Sequence, residues 1–390
     1  MNRPRRWTPA VVLTLSGLAA CDGDGARHHR WRVAIDTLSN GALLVVNYPP
    51  EERDSSDSWR VKEEIRIGGM GSTEPWSFAD VRGLSVDEAG RFYVLDGVAG
   101  ELRVFDPAGA YVGTIGQEEI GPLQTNGIAL APDGTIWIAD VEAGRMLVFD
   151  TLGEMVATHH VPLAGAGSPW QGGFDEEGHL EDIALLPPES PDRTPTLRRF
   201  DEELRVVETY PLPRDEGTMF NFPQGATRVP FAGPLRWIVD PRGYVWFADT
   251  DLYRIYKRRF EGDTLQVIES WRDPLPVTEG ERDSALARLR GFMDLVGEAY
   301  IEVERIPDTK PVLENIDLDS SGRLWVRVTS ERPNTLFEVF DTTGVFMAAA
   351  RADFRIPDWW HPIIRDSLIY ALTQSDLGVP YVIRARIEKE

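Results

Sequence analysis

Residues 131–154, APDGTIWIADVEAGRMLVFDTLGE, contain two short apolar runs separated by polar and glycine positions. The run Ile136–Ala139 is apolar at every position, which is typical of a strand that is buried on both faces. A second apolar run, Met146–Phe149, follows after a polar connection. Asp133-Gly134 and residues 150–153 have the composition of tight turns. The stretch therefore predicts two strands of one sheet, with a turn at each end.

The same arrangement recurs along the chain. A polar turn that ends in glycine precedes each first strand, and these turn glycines are Gly90, Gly134, Gly178, Gly243 and Gly322. Their spacings are 44, 44, 65 and 79 residues, which indicates a repeat of 44 residues with two insertions. A repeat of about 40–50 residues with several strands in each copy is typical of β-propeller blades. Since one such sheet cannot bury both apolar faces alone, the copies are expected to stack around a ring.

Closing the ring requires a further sheet, and both ends of the chain offer strands for it. Two β-rich runs lie near the C-terminus, Leu368–Leu372 and Tyr381–Ile387, and Val61–Gly68 resembles the blade-ending Tyr111–Gly116. We expect Val61–Ile67 to be the outer strand of a blade whose inner strands come from the C-terminus. The predicted fold is all-β: a six-bladed β-propeller with closure by N- and C-terminal strands. The hairpin-like segment 31–48 is either a pair of covering strands or part of a seventh blade.

One insertion, residues 273–311, is predicted to contain a helix. Thr278 and Glu281 have the spacing of a capping box. Apolar residues then recur at helical spacing, namely Leu286, Leu289, Met293, Val296 and Tyr300. We interpret this stripe as a face that packs on the propeller's own surface, with a partner-binding helix as the alternative.

Acidic residues recur directly after the apolar strand of several repeats, at Asp96, Asp140 and Asp249. Because a catalytic residue is normally singular, their repetition indicates a structural role. We expect these carboxylates to accept hydrogen bonds from loop amides or from nearby arginines such as Arg103, Arg145 and Arg254.

The N-terminus has the layout of a secretory signal, with basic residues followed by an apolar run from Val11 to Leu18. The segment Leu18-Ala19-Ala20-Cys21 resembles the lipobox of bacterial lipoproteins, and Cys21 is the only cysteine in the chain. That resemblance implies cleavage before Cys21 and its acylation, so that a lipid bilayer is an expected partner.

We divide the chain into a lipoprotein signal peptide (1–20), a tether with an N-terminal hairpin (21–60) and the propeller (61–390). The expected location is the cell envelope, lipid-anchored and facing the periplasm or the exterior.

The repeats and the lipobox together resemble the bacterial six-bladed propeller lipoproteins with NHL-like repeats, over about residues 61–387. This resemblance implies a fold and an anchor but no particular reaction, since propellers carry unrelated chemistries. The net charge of −22 would repel phosphate backbones, so nucleic acid is not an expected partner.

Ligands of propellers are expected at the end of the central channel, where loops lead into the innermost strands. In this chain those loops contain aromatic, acidic and amide side chains that suit a sugar, a peptide or an aromatic ligand. The candidate ligand-binding residues are Trp76, Asp80, Asn126, Trp170, Phe231, Glu314, Asn315, Trp359, Trp360 and His361. Each aromatic member has an alternative role in filling the channel and holding neighbouring blades together.

No catalytic residue is assigned, because the sequence lacks the motifs of serine hydrolases, zinc proteases and nucleotide-binding loops. The expected function is a non-catalytic module that binds an envelope protein, a peptide or a glycan, with no cofactor. The alternative is a calcium-dependent hydrolase that resembles lactonases of the gluconolactonase type. That resemblance implies calcium at the channel mouth, where Asp80, Asn126, Glu314 and Asn315 have suitable oxygens. A scaffold that holds an envelope complex together is the third hypothesis.

Overall fold

The computed structural model describes residues 31–50, 58–70, 74–121, 125–163, 166, 169–185, 194–213, 217–222, 225–297 and 300–389. The predicted signal peptide and Cys21 lie outside these residues. Within them, strands predominate, and the helical segments are α1 (Glu279–Val296) and a short 3-10 turn, Val303–Arg305. No helix in this part of the chain is long and apolar enough to cross a membrane.

The turn glycines predicted from the sequence mark antiparallel sheets in which four consecutive strands pair in order. Three strands precede them: β1 (Arg32–Thr37), β2 (Leu43–Tyr48) and β3 (Ser58–Gly68). The first unit is β4 (Val81–Val86), β5 (Phe92–Asp96), β6 (Glu101–Phe105) and β7 (Tyr111–Ile115). The second unit is β8 (Thr125–Leu130), β9 (Ile136–Asp140), β10 (Arg145–Phe149) and β11 (Met155–His160). The third unit is β12 (Gly172–Phe174), β13 (Leu180–Ala184), β14 (Thr196–Phe200) and β15 (Val206–Pro211).

The two insertions lie on either side of the fourth unit. A separate hairpin, β16 (Met219–Phe222) and β17 (Gly225–Arg228), precedes it. The fourth unit is β18 (Leu235–Asp240), β19 (Tyr244–Asp249), β20 (Arg254–Arg259) and β21 (Thr264–Glu269). After α1, the fifth unit is β22 (Leu313–Leu318), β23 (Leu324–Val328), β24 (Leu336–Phe340) and β25 (Phe346–Ala352). The last strands are β26 (Ile363–Arg365), β27 (Leu368–Gln374) and β28 (Pro380–Lys389).

The repeating turns use glycine for a conformational reason. Gly90, Gly134, Gly178, Gly243 and Gly322 all have φ between 81° and 89°, a region that side chains other than glycine adopt only with strain. In the first unit the amide of Gly90 donates to the carbonyl of Asp87 at 3.0 Å, which closes the turn between β4 and β5. This requirement explains why glycine recurs at the repeat spacing.

The predicted closure of the ring is confirmed. Strand β3 pairs antiparallel with β28, with Ile67 opposite Val382 and Val61 opposite Ile387. Strands β26, β27, β28 and β3 thus form a closing unit with strands from both chain ends. Innermost strands of neighbouring units touch (β4 with β8, β8 with β12, β18 with β22), and β27 of the closing unit contacts β4. The units are therefore arranged as a β-propeller, and their apolar faces pack against each other around the ring.

The N-terminal hairpin is a covering pair. Strand β1 pairs with β2, and β2 runs parallel to β21, so that the hairpin extends the outer edge of the fourth unit. Asn47, which is fully buried, donates to the carbonyl of Gly344 and accepts from the amide of Phe346, both at 2.9 Å. Trp31 stacks on Phe346 with ring centroids 3.7 Å apart. The hairpin therefore ties the fourth unit to the fifth.

The helix predicted in the second insertion is confirmed, and it packs against the first insertion. Thr278 caps α1 and forms the expected capping box with Glu281. Leu289 is buried together with Phe220 of the β16–β17 hairpin and with Ile301 and Ile306. The helical part of the predicted stripe is thus covered by this chain, through the other insertion, whereas Tyr300 lies after α1 and is 40% exposed.

The recurrent aspartates have the expected structural role. Asp96, which is fully buried, accepts hydrogen bonds from the amides of Ala79, Asp80, Val98 and Ala99. Asp140 accepts from the amide of Ala143 and from Arg145, whereas Arg254 pairs with Glu269 rather than with Asp249. These carboxylates fix the loops that lead to the channel.

Candidate functional site

A cavity of about 310 Å³ lies inside the ring. Its walls come from the innermost strands of the first four units, from β13 and β14 of the third unit, and from loops near the innermost strands. The innermost strands contribute 82–84, 127–128, 172–174 and 237–239, the third unit adds 181–183 and Leu197, and the loops contribute 169–171, Pro241 and 359–361. Its volume is within the range of small-molecule sites, about 300–1,000 Å³.

Three tryptophans give this cavity its chemical character. Trp170 and Trp360 are 6% and 5% exposed, Trp237 is half-buried, and all three line the cavity. The indole Nε1–H of each is buried and has no hydrogen-bond partner within the described residues. Buried N–H groups are normally paired, so three unpaired donors around one cavity are unusual for side chains that only fill a core.

Glycines in the innermost strands make room for Trp170. A Cβ added at Gly127 would lie 2.9 Å from the Trp170 Cβ, and one added at Gly172 would lie 2.1 Å from its Cζ2. Any side chain at either position would collide with the ring. The amide of Trp170 also donates to the carbonyl of Asn126 at 2.6 Å. The second and third units therefore hold the indole in place from both sides.

On the other side of the cavity, His361 is oriented by a buried ion pair. Its Nδ1 lies 2.9 Å from Oδ1 of Asp317, which is fully buried and pairs with Arg327 at 2.9 Å. Since the Asp317 carboxylate can only accept, Nδ1 carries the proton and Nε2 is left as an acceptor. Arg327 also donates to the carbonyls of Pro357 and Trp360. One buried guanidinium thus holds both the histidine's partner and the loop that bears Trp360.

Each charged side chain that lines the cavity, among the described residues, already has a partner of opposite charge. Arg82 pairs with Asp80 at 2.7 Å. Glu181 pairs with Arg199 at 2.8 Å, and Asp182 pairs with Arg198 at 2.6 Å. The cavity therefore combines apolar walls and neutral donors with internally compensated charges.

The structure brings four of the ten candidate residues to the cavity wall: Trp170, Trp359, Trp360 and His361. Trp359 is 41% exposed and meets Trp360 edge-on, with centroids 5.8 Å apart. Two others lie beside the wall, because Asp80 pairs with the lining residue Arg82 and Asn126 precedes the lining residue Gly127.

The remaining four candidates lie elsewhere. Trp76 is 45% exposed in the loop before β4. Phe231, at φ 60°, packs in the apolar cluster between α1 and the β16–β17 hairpin. Glu314 pairs with Arg355 at 2.9 Å. Asn315 donates to the carbonyl of Asp358 at 2.8 Å, which positions the residue next to Trp359.

Sequence reasoning did not assign Arg82 and Glu181 to the site. Arg82 stands within an innermost strand, where the pattern had indicated only core positions. Glu181 lies on the second strand of its unit, and its only sequence signal is an acidic residue inside an apolar run.

Glu181 belongs to a buried ionisable network in the third unit. Arg199 contacts Glu181, Asp175 and Glu208, and Asp175 in turn contacts His179 at 3.1 Å. Burial raises the pKa of Glu181 to about 7, and the repulsion from Asp175 adds to this rise while Arg199 opposes it.

Asp175, Glu177 and His179 lie close enough together to hold a metal ion. However, one oxygen of Asp175 already accepts the amides of Glu177 and His179, as in an ordinary turn.

Replacing Glu181 by glutamine is expected to stabilise the protein at pH 8 but not at pH 5. Between the ordinary pKa of 4.5 and the raised value near 7, the folded state retains a proton that the unfolded chain releases. The contribution of Glu181 to the free energy of unfolding therefore falls as the pH rises from about 4.5 to about 7. We expect Glu181→Gln to raise stability by about 1–2 kcal/mol at pH 8, measured as the melting temperature against pH.

The control for this prediction is Glu208→Gln. Glu208 contacts the same Arg199, but its side chain is 42% exposed, so its replacement should not change the pH dependence. A Glu181→Gln variant that is destabilised equally at both pH values would show that the carboxylate is charged throughout and is needed as an ion-pair partner.

Comparison with known proteins adds little to this geometry. No protein-family model matches the chain, and no curated protein matches its sequence. A protein described as exported from Bacteroides fragilis is 13% identical with a TM-score of 0.49, over 85% of this chain and 99% of that one. Virginiamycin B lyase from Staphylococcus aureus is 10% identical with a TM-score of 0.44, over 78% and 94%. A gluconolactonase from Xanthomonas campestris is 12% identical with a TM-score of 0.40, over 78% and 85%. These neighbours are β-propeller-like, and at such low identities and TM-scores they say nothing about the chemistry of this chain.

Proposed function

We propose that this chain is a non-catalytic binding module that takes up part of a protein, a peptide or a glycan in its channel cavity. The observation that carries the proposal is the set of three buried indole N–H groups, on Trp170, Trp237 and Trp360, for which the described part of the chain offers no partner. An unpaired buried donor costs about 1–3 kcal/mol. A ligand that accepts from these groups would recover that cost, whereas tryptophans that only filled the channel would gain nothing from unpaired N–H groups.

We further propose that the ring has six blades, with NHL-like repeats, made of the five units and the closing unit. The domain division proposed with it is the signal peptide (1–20), the tether and hairpin (21–60) and the propeller (61–390). The lipobox ending at Cys21 supports a lipid anchor, because several acyl chains suffice for stable attachment to a bilayer. The location that fits such an anchor is the cell envelope, facing the periplasm or the exterior.

The binding proposal is tested with the mature protein in detergent. Trp170→Phe keeps the ring but removes the N–H donor, and Trp76→Phe is the matched control outside the cavity. Both variants are compared with the unaltered protein in calorimetric titrations against two panels of probes, neutral oligosaccharides and uncharged tripeptides. We expect binding of at least one panel and a loss of about tenfold or more in Trp170→Phe alone. Absence of binding in both panels would overturn the proposal.

A calcium-dependent hydrolase at the same channel is the alternative. In its favour, Oδ1 of Asn126 and Oε2 of Glu314 are buried and accept no hydrogen bond from any described residue. Against it, Asp80 is paired with Arg82, and Oδ1 of Asn315 accepts the amide of Ile316 at 2.8 Å. Two free oxygens are fewer than the six to eight that calcium takes. A rise in melting temperature with calcium that is lost in Glu314→Gln would favour the hydrolase over the binding module.

A further inference from the structure

The outermost strand of the sheet that contains the fourth unit has an edge without a partner strand. The six strands of this sheet lie in the order β1-β2-β21-β20-β19-β18, so β1 (Arg32–Thr37) is the last of them. Within the described residues, β1 pairs with β2 on one side only. Its other side presents backbone N–H and C=O groups, which form a template for pairing with another chain.

The side chains of β1 favour such pairing. Val33 and Ile35 are 39% and 59% exposed, and the strand contains no proline, a residue that protects sheet edges. Arg32 and Asp36 are exposed and carry opposite charges. They are four residues apart, about 13 Å along the strand, which is too far for an ion pair with each other.

Neither of these two charges has an ion-pair partner among the described residues. Arg32 lies over the ring of Tyr48, with its guanidinium carbon 5.8 Å from the ring centroid. Asp36 accepts the amide of its neighbour Thr37 at 2.7 Å. Both groups are therefore accessible to charges on another molecule.

The sequence of β1 is complementary to itself in one antiparallel register. In this register Ala34 lies opposite Ala34 of a second copy, and Arg32 lies opposite the second copy's Asp36. Val33 then lies opposite the second copy's Ile35. Symmetry repeats both pairs, so the register contains two ion pairs and two contacts between β-branched side chains. A shift of two residues in either direction places Arg32 opposite an alanine or a leucine instead.

We infer that a second copy of this chain binds to the edge of β1, with the two strands antiparallel about a two-fold axis at Ala34. The contact is isologous, as is usual for homodimers, and it joins the two six-stranded sheets by strand addition. Four strands separate β1 from the innermost strand β18, which places the contact about 24 Å from the channel. The inference goes beyond the proposed function, because this contact leaves the cavity of each copy open.

Charge exchange tests the register. The mature full-length protein in detergent is studied by analytical ultracentrifugation over a range of concentrations, and we expect an equilibrium between monomer and dimer. Arg32→Asp and Asp36→Arg each turn two attractive pairs into two repulsive ones, so each should weaken the dimer by about tenfold or more. The variant that carries both exchanges should restore it. Lys62→Asp makes an equal charge change at an exposed position of β3, and it should dimerise as the unaltered protein does.

A cysteine at the two-fold axis provides a second measurement. Opposite Cβ atoms in an antiparallel pair are about 4.5–5.5 Å apart, near the distance that a disulfide spans. Ala34→Cys should therefore link two copies under mild oxidation. Ser39→Cys is the matched control, because this exposed turn position lies five residues from the axis, and it should not link. Cys21, the only native cysteine, is present in both variants.

Three results would overturn the inference. The first is a protein that is monomeric at every concentration. The second is a dimer that Arg32→Asp leaves unchanged, because another surface would then hold it. The third is equal linking in Ala34→Cys and Ser39→Cys, which would indicate chance contact within a micelle. Melting temperatures verify the fold of each variant, and ligand titration tests the binding module separately.

Discussion

Replacing Arg327 by methionine is expected to lower the free energy of unfolding by about 3–5 kcal/mol. Arg327 and Asp317 are both fully buried, and their ion pair has a distance of 2.9 Å. Removing the guanidinium leaves the buried Asp317 carboxylate charged, with His361 still at hydrogen-bond distance. The carbonyls of Pro357 and Trp360 also lose their donor. Methionine fills much of the same volume, so the cost measures the lost interactions rather than a cavity.

The matched control is Arg205→Met. Arg205 also pairs with an aspartate, Asp201 at 2.8 Å, but its side chain is 71% exposed, and such pairs contribute about 0–1 kcal/mol. Thermal unfolding of both variants gives the comparison, and ligand titration shows whether the Trp360 loop still forms the site. Equal melting temperatures for Arg327→Met and the unaltered protein would mean that the buried pair does not stabilise the ring.

Replacing Ile383 by proline is expected to abolish cooperative unfolding near the native melting temperature. Ile383 is fully buried in β28, which pairs with β27 on one side and with β3 on the other. Proline removes a ladder hydrogen bond in the middle of a sheet, where it is found essentially only on edge strands or at bulges. The apolar contacts of the isoleucine are lost as well, at about 2–5 kcal/mol. Because β28 joins the two chain ends, the damage also opens the ring.

Lys389→Pro is the control, since it places the same residue at the exposed end of the same strand. We expect this variant to melt within a few degrees of the unaltered protein. Limited proteolysis provides a second measurement, because an opened ring should be cleaved in β3 as well as near the C-terminus. If Ile383→Pro unfolds at the same temperature as Lys389→Pro, closure by β28 does not hold the propeller together.

The repeat and its closure could be predicted because their signals are local. Turn glycines such as Gly134 must adopt positive φ, and continuously apolar runs such as Ile136–Ala139 form strands that are buried on both faces. Both properties are visible in a window of a few residues. The parallel pairing of β2 with β21 had no such signal. The two strands are more than two hundred residues apart in the sequence, so no hairpin turn connects them and marks the pair. The sequence therefore indicated a hairpin but left open where it attaches.

The candidate site could be predicted only in part, for a related reason. The loops that lead into innermost strands could be located from the repeat, which is why Trp170, Trp359, Trp360 and His361 were found. Which indole N–H lacks a partner depends on distances among several units and cannot be read from composition. Trp237 illustrates this, because in the sequence it is one more aromatic residue of a buried strand. The His361–Asp317 contact joins a loop to a strand 44 residues earlier, and no motif announces it.

The position of β3 also determines when this protein can finish folding. Strand β3 is synthesised before the five units, whereas its antiparallel partner β28 (Pro380–Lys389) follows all of them. Until β28 emerges, β3 lacks that partner and its edge is open to pairing with other chains. A chaperone that holds extended segments would therefore be needed most by β3, although this strand is made before the units whose ring it closes.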